Sequence, residues 1–76
     1  MSSEIINRPN SIIKISWNDN EKNFIVTKTS NMNKLIYNVK IAMDDLRNDY
    51  TITGIPKSDK IAVDDSINIL IRRLFI

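Results

Sequence analysis

Ser30–Asn48, SNMNKLIYNVKIAMDDLRN, is the stretch whose reading decides the fold. Stepped at about 100° per residue, Met32, Leu35, Ile36, Val39, Ala42, Met43 and Leu46 fall on one broad face. That is the stripe by which a surface helix docks on its own core. Tyr37 and Ile41 fall on the other side. The spacing predicts a helix with Ser30 as its N-cap and an end near Arg47 to Asp49. The second apolar pair, at i and i+4, has no intramolecular use visible in the sequence. It is a candidate contact surface, with Tyr37 as an aromatic anchor of the kind enriched at binding hot spots. Lys34, Lys40, Asp44 and Asp45 would form its polar rim.

Upstream, Ile13, Ile15 and Trp17 alternate with Ser and Lys, Asn18 to Asn20 supply turn chemistry, and Phe24 and Val26 alternate with Asn23, Ile25 and Thr27. This predicts a β-hairpin. Without Asn-Gly or Asp-Gly at its tip, a connection of three to five residues is expected rather than two, with Asn in the left-handed position. Residues 1–10 read as a loosely held leader, with Ile5 and Ile6 able to pin it onto a sheet edge. Residues 11–76 read as one domain.

Downstream, Tyr50 to Thr53 reads as a short returning strand stopped by Gly54 and Pro56. Ser58 to Lys60 reads as a polar loop before a brief extension from Ile61 to Val63. The last segment reads as a helix beginning after Asp64 or Asp65. Ile67, Leu70, Ile71, Leu74 and Phe75 then share one face, and Asn68, Arg72 and Arg73 the other. Aspartates at the helix start and arginines at its end suit the macrodipole. As a strand, Ile67, Ile69 and Ile71 would alternate with Asn68, Leu70 and Arg72. The fold class expected is a small α+β domain: β-hairpin, helix, short returning strand and C-terminal helix. The alternative is a β-grasp-like chain with a C-terminal strand. The order of elements from Ser11 to Gly54 resembles that of β-grasp proteins, and the length is similar to ubiquitin's. The C-terminus lacks the Gly-Gly used in conjugation or sulfur transfer, so the resemblance implies fold order and no activity.

Composition narrows the chemistry. The chain has 76 residues, no cysteine and no histidine, so the common nucleophile–base pairs cannot be assembled and a zinc site would need carboxylates alone. The doublets Asp44-Asp45 and Asp64-Asp65 read as a polar helix side and a helix start rather than as a catalytic or Mg²⁺ pair. One glycine, Gly54, cannot build a phosphate-cradling loop. We therefore expect no enzyme activity, no cofactor and no metal. No apolar run approaches 18 residues, and residues 1–10 lack the apolar core of a signal peptide. These features and the missing cysteines lead us to expect no membrane partner and a cytoplasmic location. Ile, Asn and Lys supply 32 of the 76 residues, and since all three have A/T-rich codons they suggest an A/T-rich genome.

Binding remains as the expected activity. The leading expectation is a non-catalytic module acting by stoichiometric binding to another protein or to itself as a homodimer, through Tyr37, Ile41, Lys34 and Asp44. Its size, composition and lack of chemical motifs resemble the small stoichiometric inhibitors of host systems encoded by phages and mobile elements. The second expectation is a nucleic-acid-binding protein. Net charge is +2, and Lys14, Lys22, Lys28, Arg72 and Arg73 are the cations that would contact phosphate, with Trp17, Phe24 and Tyr50 on the sheet for stacking.

Overall fold

The computed structural model describes residues 3–47 and 54–76. Four antiparallel strands, β1 (Ser3–Arg8), β2 (Ser11–Asn18), β3 (Asn23–Ser30) and β4 (Leu35–Ala42), form a meander in sequence order. A short 3₁₀ segment, Met43–Arg47, follows β4, and one helix, α1 (Lys57–Phe75), closes the chain. The class is α+β, with the described helix at the C-terminal end. Among the described residues no helix is long and apolar enough to cross a membrane.

The segment expected to be the central helix is instead β4 and the 3₁₀ segment. The reason lies in residue type and period. Ile36, Tyr37, Val39 and Ile41 are β-branched or aromatic and suit a pleated surface. Tyr37, Val39 and Ile41 recur at every second residue, so in a strand they share one face. Helical projection splits that set and creates two stripes. Ser30 does accept backbone N–H groups through its hydroxyl, but those of Met32 (3.2 Å) and Lys34 (3.1 Å), which closes the β3–β4 turn rather than a helix.

The expected hairpin is present as β2 and β3, in the register Trp17 opposite Phe24, Ile15 opposite Val26 and Ile13 opposite Lys28. Asp19–Lys22 connect them. Asn18 Oδ1 accepts the Asn20 and Glu21 N–H groups at 3.0 and 3.3 Å, an Asx-type turn. The left-handed residue here is Lys22 (φ 56°), whereas Asn10 (64°) and Asn33 (60°) take that conformation in the two other turns. Ser3–Arg8, within the segment expected to be a loosely held leader, is a strand paired to β2 along its length; Ile6 packs against the core, whereas Ile5 is exposed on the other face.

Strand alternation sorts the sheet into two faces. Ile13, Ile15, Phe24, Val26, Val39 and Ile41 are buried beneath the C-terminal part of the chain, against Ile55, Val63, Ile67 and Leu70. One register shift breaks the alternation. Lys28 pairs with Tyr37 but Thr29 with Leu35, which leaves Ile36 as the extra residue of a β-bulge and turns Leu35 to the outer face. Trp17 stacks obliquely on Phe24 (centroids 4.8 Å) and meets Phe75 edge to face (5.2 Å), fixing the end of α1 over the hairpin.

Helix α1 starts earlier than Asp64. Pro56, extended at φ −62°, precedes it, and a proline's missing N–H is harmless at a helix start. Ser58 to Lys60 and Ile61 to Val63 are therefore helical rather than loop and extension. The strand alternative for the last segment, and with it the β-grasp-like ending, is not what forms: Val63, Ile67 and Leu70 bury one side at helical spacing. Gly54 has φ +114°, a conformation other residues rarely adopt. The returning strand expected at Tyr50 to Thr53 lies outside the described residues.

Strand and helix readings of β4 make opposite predictions. Ile41→Ala, emptying a site 2 % exposed, should cost about 2–5 kcal/mol. Leu35→Ala, at a site 62 % exposed, should stay within about 0.5 kcal/mol. Urea unfolding of the two variants checks both values; the reverse order would contradict the strand register.

Candidate functional site

Two features of the described structure lie outside simple core packing: a polar cluster under the start of α1, and the uncovered face of the sheet. The cluster is built around Asp59, which is 3 % exposed in the first turn of α1. Three strands deliver its partners from the core-facing side of one end of the sheet. Lys28 Nζ on β3 lies 2.9 Å from Asp59 Oδ2, and the Tyr37 hydroxyl on β4 donates to the same oxygen at 3.0 Å. Arg8 at the end of β1 brings Nε to 3.4 Å from Oδ1, and its Nη2 donates to the Ser58 carbonyl at 3.3 Å. The Arg8 Nε contact lacks hydrogen-bond alignment and acts as an ion pair. Lys28 also sits 5.9 Å from the centre of the Tyr37 ring, within cation–π range.

Burial raises the Asp59 pKa more than any other single effect. Hydrogen bonds from Lys28 and Tyr37 and the charges of Lys28 and Arg8 together outweigh it, leaving the carboxyl below its ordinary value. Burial chiefly, then the hydrogen bond to Asp59 and its charge, raise the Tyr37 phenol well above its usual value, with Arg8 opposing. A carboxylate held this way is a weak base, and the phenol a weak acid. The arrangement suits fastening α1 to three strands more than moving protons.

The other face of the sheet carries nothing among the described residues. Ile5 is 61 %, Ile12 49 % and Leu35 62 % exposed. Lys14 and Lys40 stand among them, with the hydroxyls of Ser16, Thr27 and Thr29 between. No strand position on this face holds a carboxylate. Lys40 reaches Glu21 in the neighbouring turn at 3.4 Å, and Lys14 makes no ion pair among the described residues. Two open-sided hollows, of about 440 and 420 Å³, flank Trp17 at the hairpin end. Of the polar groups at their rims, Asp19 is engaged by Lys22 at 2.9 Å and Glu21 by Lys40 at 3.4 Å.

The structure disperses the residues singled out in the sequence. Ile41 is core, and Tyr37 points into the Asp59 cluster, so neither offers the outer stripe that helical spacing implied. Lys34, in the β3–β4 turn, and Asp44, on the 3₁₀ segment, are exposed at opposite ends of β4. Among the cations, Lys28 is tied to Asp59, Lys22 to Asp19 and Arg73 to Glu4 at 3.6 Å. Lys14 faces outward from the sheet, and Arg72 lies in the last turn of α1. These five cations do not converge on one surface. Trp17 and Phe24 lie on the covered face, as does Tyr37, and Tyr50 lies outside the described residues, so among the described residues the outer face has no stacking platform. Arg8 and Asp59, two members of the cluster, carry no local signal in the sequence, because they lie 51 positions apart in the chain. Among the described residues no group of three or more His, Cys, Asp or Glu comes together as a metal site.

No family model matches this chain, and neither a curated protein nor a solved structure does.

The shifts in the cluster define a pH window. Asp59 binds its proton more weakly folded than unfolded, so its contribution is complete above about pH 4 and is lost as pH falls through the lowered folded value. Tyr37 behaves in reverse: its contribution is complete below about pH 10 and is lost as pH rises through the raised value. Asp59→Asn should cost about 3 kcal/mol at pH 7, the lower end for a broken buried pair because Lys28 and Arg8 retain some water. Denaturant titrations at pH 7 and pH 3 check this, and the gap between variant and parent should narrow at pH 3. An equal gap at both would show that the Asp59 charge contributes nothing.

Proposed function

We propose that this chain is a non-catalytic binding module that acts by occupying the surface of another protein, with the uncovered sheet face as its contact. The observation that carries this reading is the chemistry of that face: exposed Ile5, Ile12 and Leu35 around Lys14, with no carboxylate at its strand positions. Scattered exposed apolar residues are normal on any protein. Here they share one side of the sheet. Apolar side chains supply contact area, and the uncompensated lysine selects what may approach.

The fitting partner is a protein surface with an apolar patch bordered by Asp or Glu. A second copy laid on this face brings lysines and no carboxylates to lysines, so charge complementarity favours a different protein. Action of this kind is that of a stoichiometric inhibitor, which blocks a surface and needs no chemistry of its own. A location in the cytoplasm and an origin in a phage or mobile element accord with the cysteine-free, Ile- and Asn-rich composition and belong to the same proposal.

Photo-reactive side chains placed singly at Ile12, Leu35 and, as a control, the outer α1 position Ile61 test the reading in cells of the source organism. Cross-linking of one protein in equimolar ratio from Ile12 and Leu35, but not from Ile61, is expected, and Lys14→Glu should abolish it. Nucleic acid recovered from the face, or cross-links equal at all three positions, would overturn the proposal.

A further inference from the structure

We infer that two copies of this chain join edge to edge through β1, antiparallel, in the register that places Ile6 against the partner subunit's Ile6. Among the described strands β1 pairs only with β2, so its outer edge presents backbone groups with no described strand beside them. Exposed edges of this sort pair with other chains unless something prevents it, and charged side chains (lysine above all), prolines and bulges are the usual obstacles. β1, SEIINR, has no proline, no lysine and no bulge.

Its two charges instead match each other. Glu4 and Arg8 stand two residues to either side of Ile6 and share the helix-covered side of the sheet. A twofold axis at Ile6 sets Glu4 opposite the partner subunit's Arg8, Arg8 opposite the partner subunit's Glu4, and Ile5 opposite the partner subunit's Asn7. One strand thus supplies both halves of two cross-strand ion pairs, the self-complementarity that an interface between identical surfaces requires. An axis at Ile5 sets Glu4 against the partner subunit's Ile6 and matches no charge. The pattern therefore selects a register as well as a partner.

Both side chains retain capacity for this contact. Glu4 is 25 % exposed and meets Arg73 at 3.6 Å; Arg8 is 32 % exposed. The guanidinium has five N–H donors, of which one hydrogen-bonds the Ser58 carbonyl while Nε lies beside Asp59. The twofold axis stands perpendicular to the sheet. Eight strands then run continuously, both α1 helices lie on one side, and the two uncovered faces merge into a single platform. This inference is independent of the partner-binding reading, and its test uses the purified chain alone.

Sedimentation equilibrium should give about twice the monomer mass of 8.8 kDa at high concentration, with dissociation on dilution. Glu4→Lys should weaken the dimer about tenfold, while far-UV circular dichroism confirms that the variant folds. Ile5→Cys and Asn7→Cys chains, each without a native cysteine, should be joined by a short thiol cross-linker only when mixed. A monomer at every concentration would overturn the inference. So would cross-linking of Ile5→Cys chains alone, or a dimer that joins through Lys14→Cys and not through the Ile5/Asn7 pair.

Discussion

One helix can cover only one side of a four-stranded sheet, and the architecture of this chain follows from that constraint. Among the described residues ten buried apolar side chains form a single layer between β2, β3 and β4 on one side and Ile55 and α1 on the other. Every strand must therefore alternate, apolar toward the helix and polar or mixed away from it. Stability in so small a layer depends on the helix keeping one position, since a shift of one turn would unpack Val63, Ile67 and Leu70 together. Two polar devices hold it at its ends. Asp59 fastens the start to Arg8, Lys28 and Tyr37, and Arg73 meets Glu4 near the end, where Phe75 also seats against Trp17. A buried ion pair adds little over a well-packed apolar substitute, but it is costly to break halfway, which makes Asp59 a determinant of where α1 lies.

The β2–β3 hairpin is legible in the sequence because alternation there is strict and its turn residues are grouped. The C-terminal helix is legible in kind but not in length: Ser58, Asp59 and Lys60 look like a loop until Asp59 is known to face inward. β4 is misread for a physical reason. Seven apolar residues in a stretch of fifteen can be projected onto a helix face almost regardless of their true period, and the isoleucine excess supplies many such residues. The leftover stripe of Tyr37 and Ile41 is the diagnostic sign. With Val39 between them, it has period two.

The site shows the same division. Local residue types correctly mark Asp44 and Lys34 as exposed, whereas the Asp59 cluster unites positions 8, 28, 37 and 59, which no spacing rule connects. The outer face is equally hidden, because its members become neighbours only once the meander's register is known. The bulge at Ile36 is the clearest case. Strict alternation would send Leu35 to the core with Tyr37, and one inserted residue turns it outward instead.

The ring contacts around Trp17 have an optical consequence. It is the single tryptophan of the chain, and it touches Phe24 on β3 and Phe75 on α1 at once. Its indole emission therefore integrates two events, hairpin closure between residues near in sequence and docking of a helix end nearly sixty residues away. Neighbouring-strand contacts close small loops and form early, while the long loop to Phe75 carries the larger entropy cost. A stopped-flow fluorescence trace of refolding would resolve the two as separate environments of one chromophore, without any label being added to the protein.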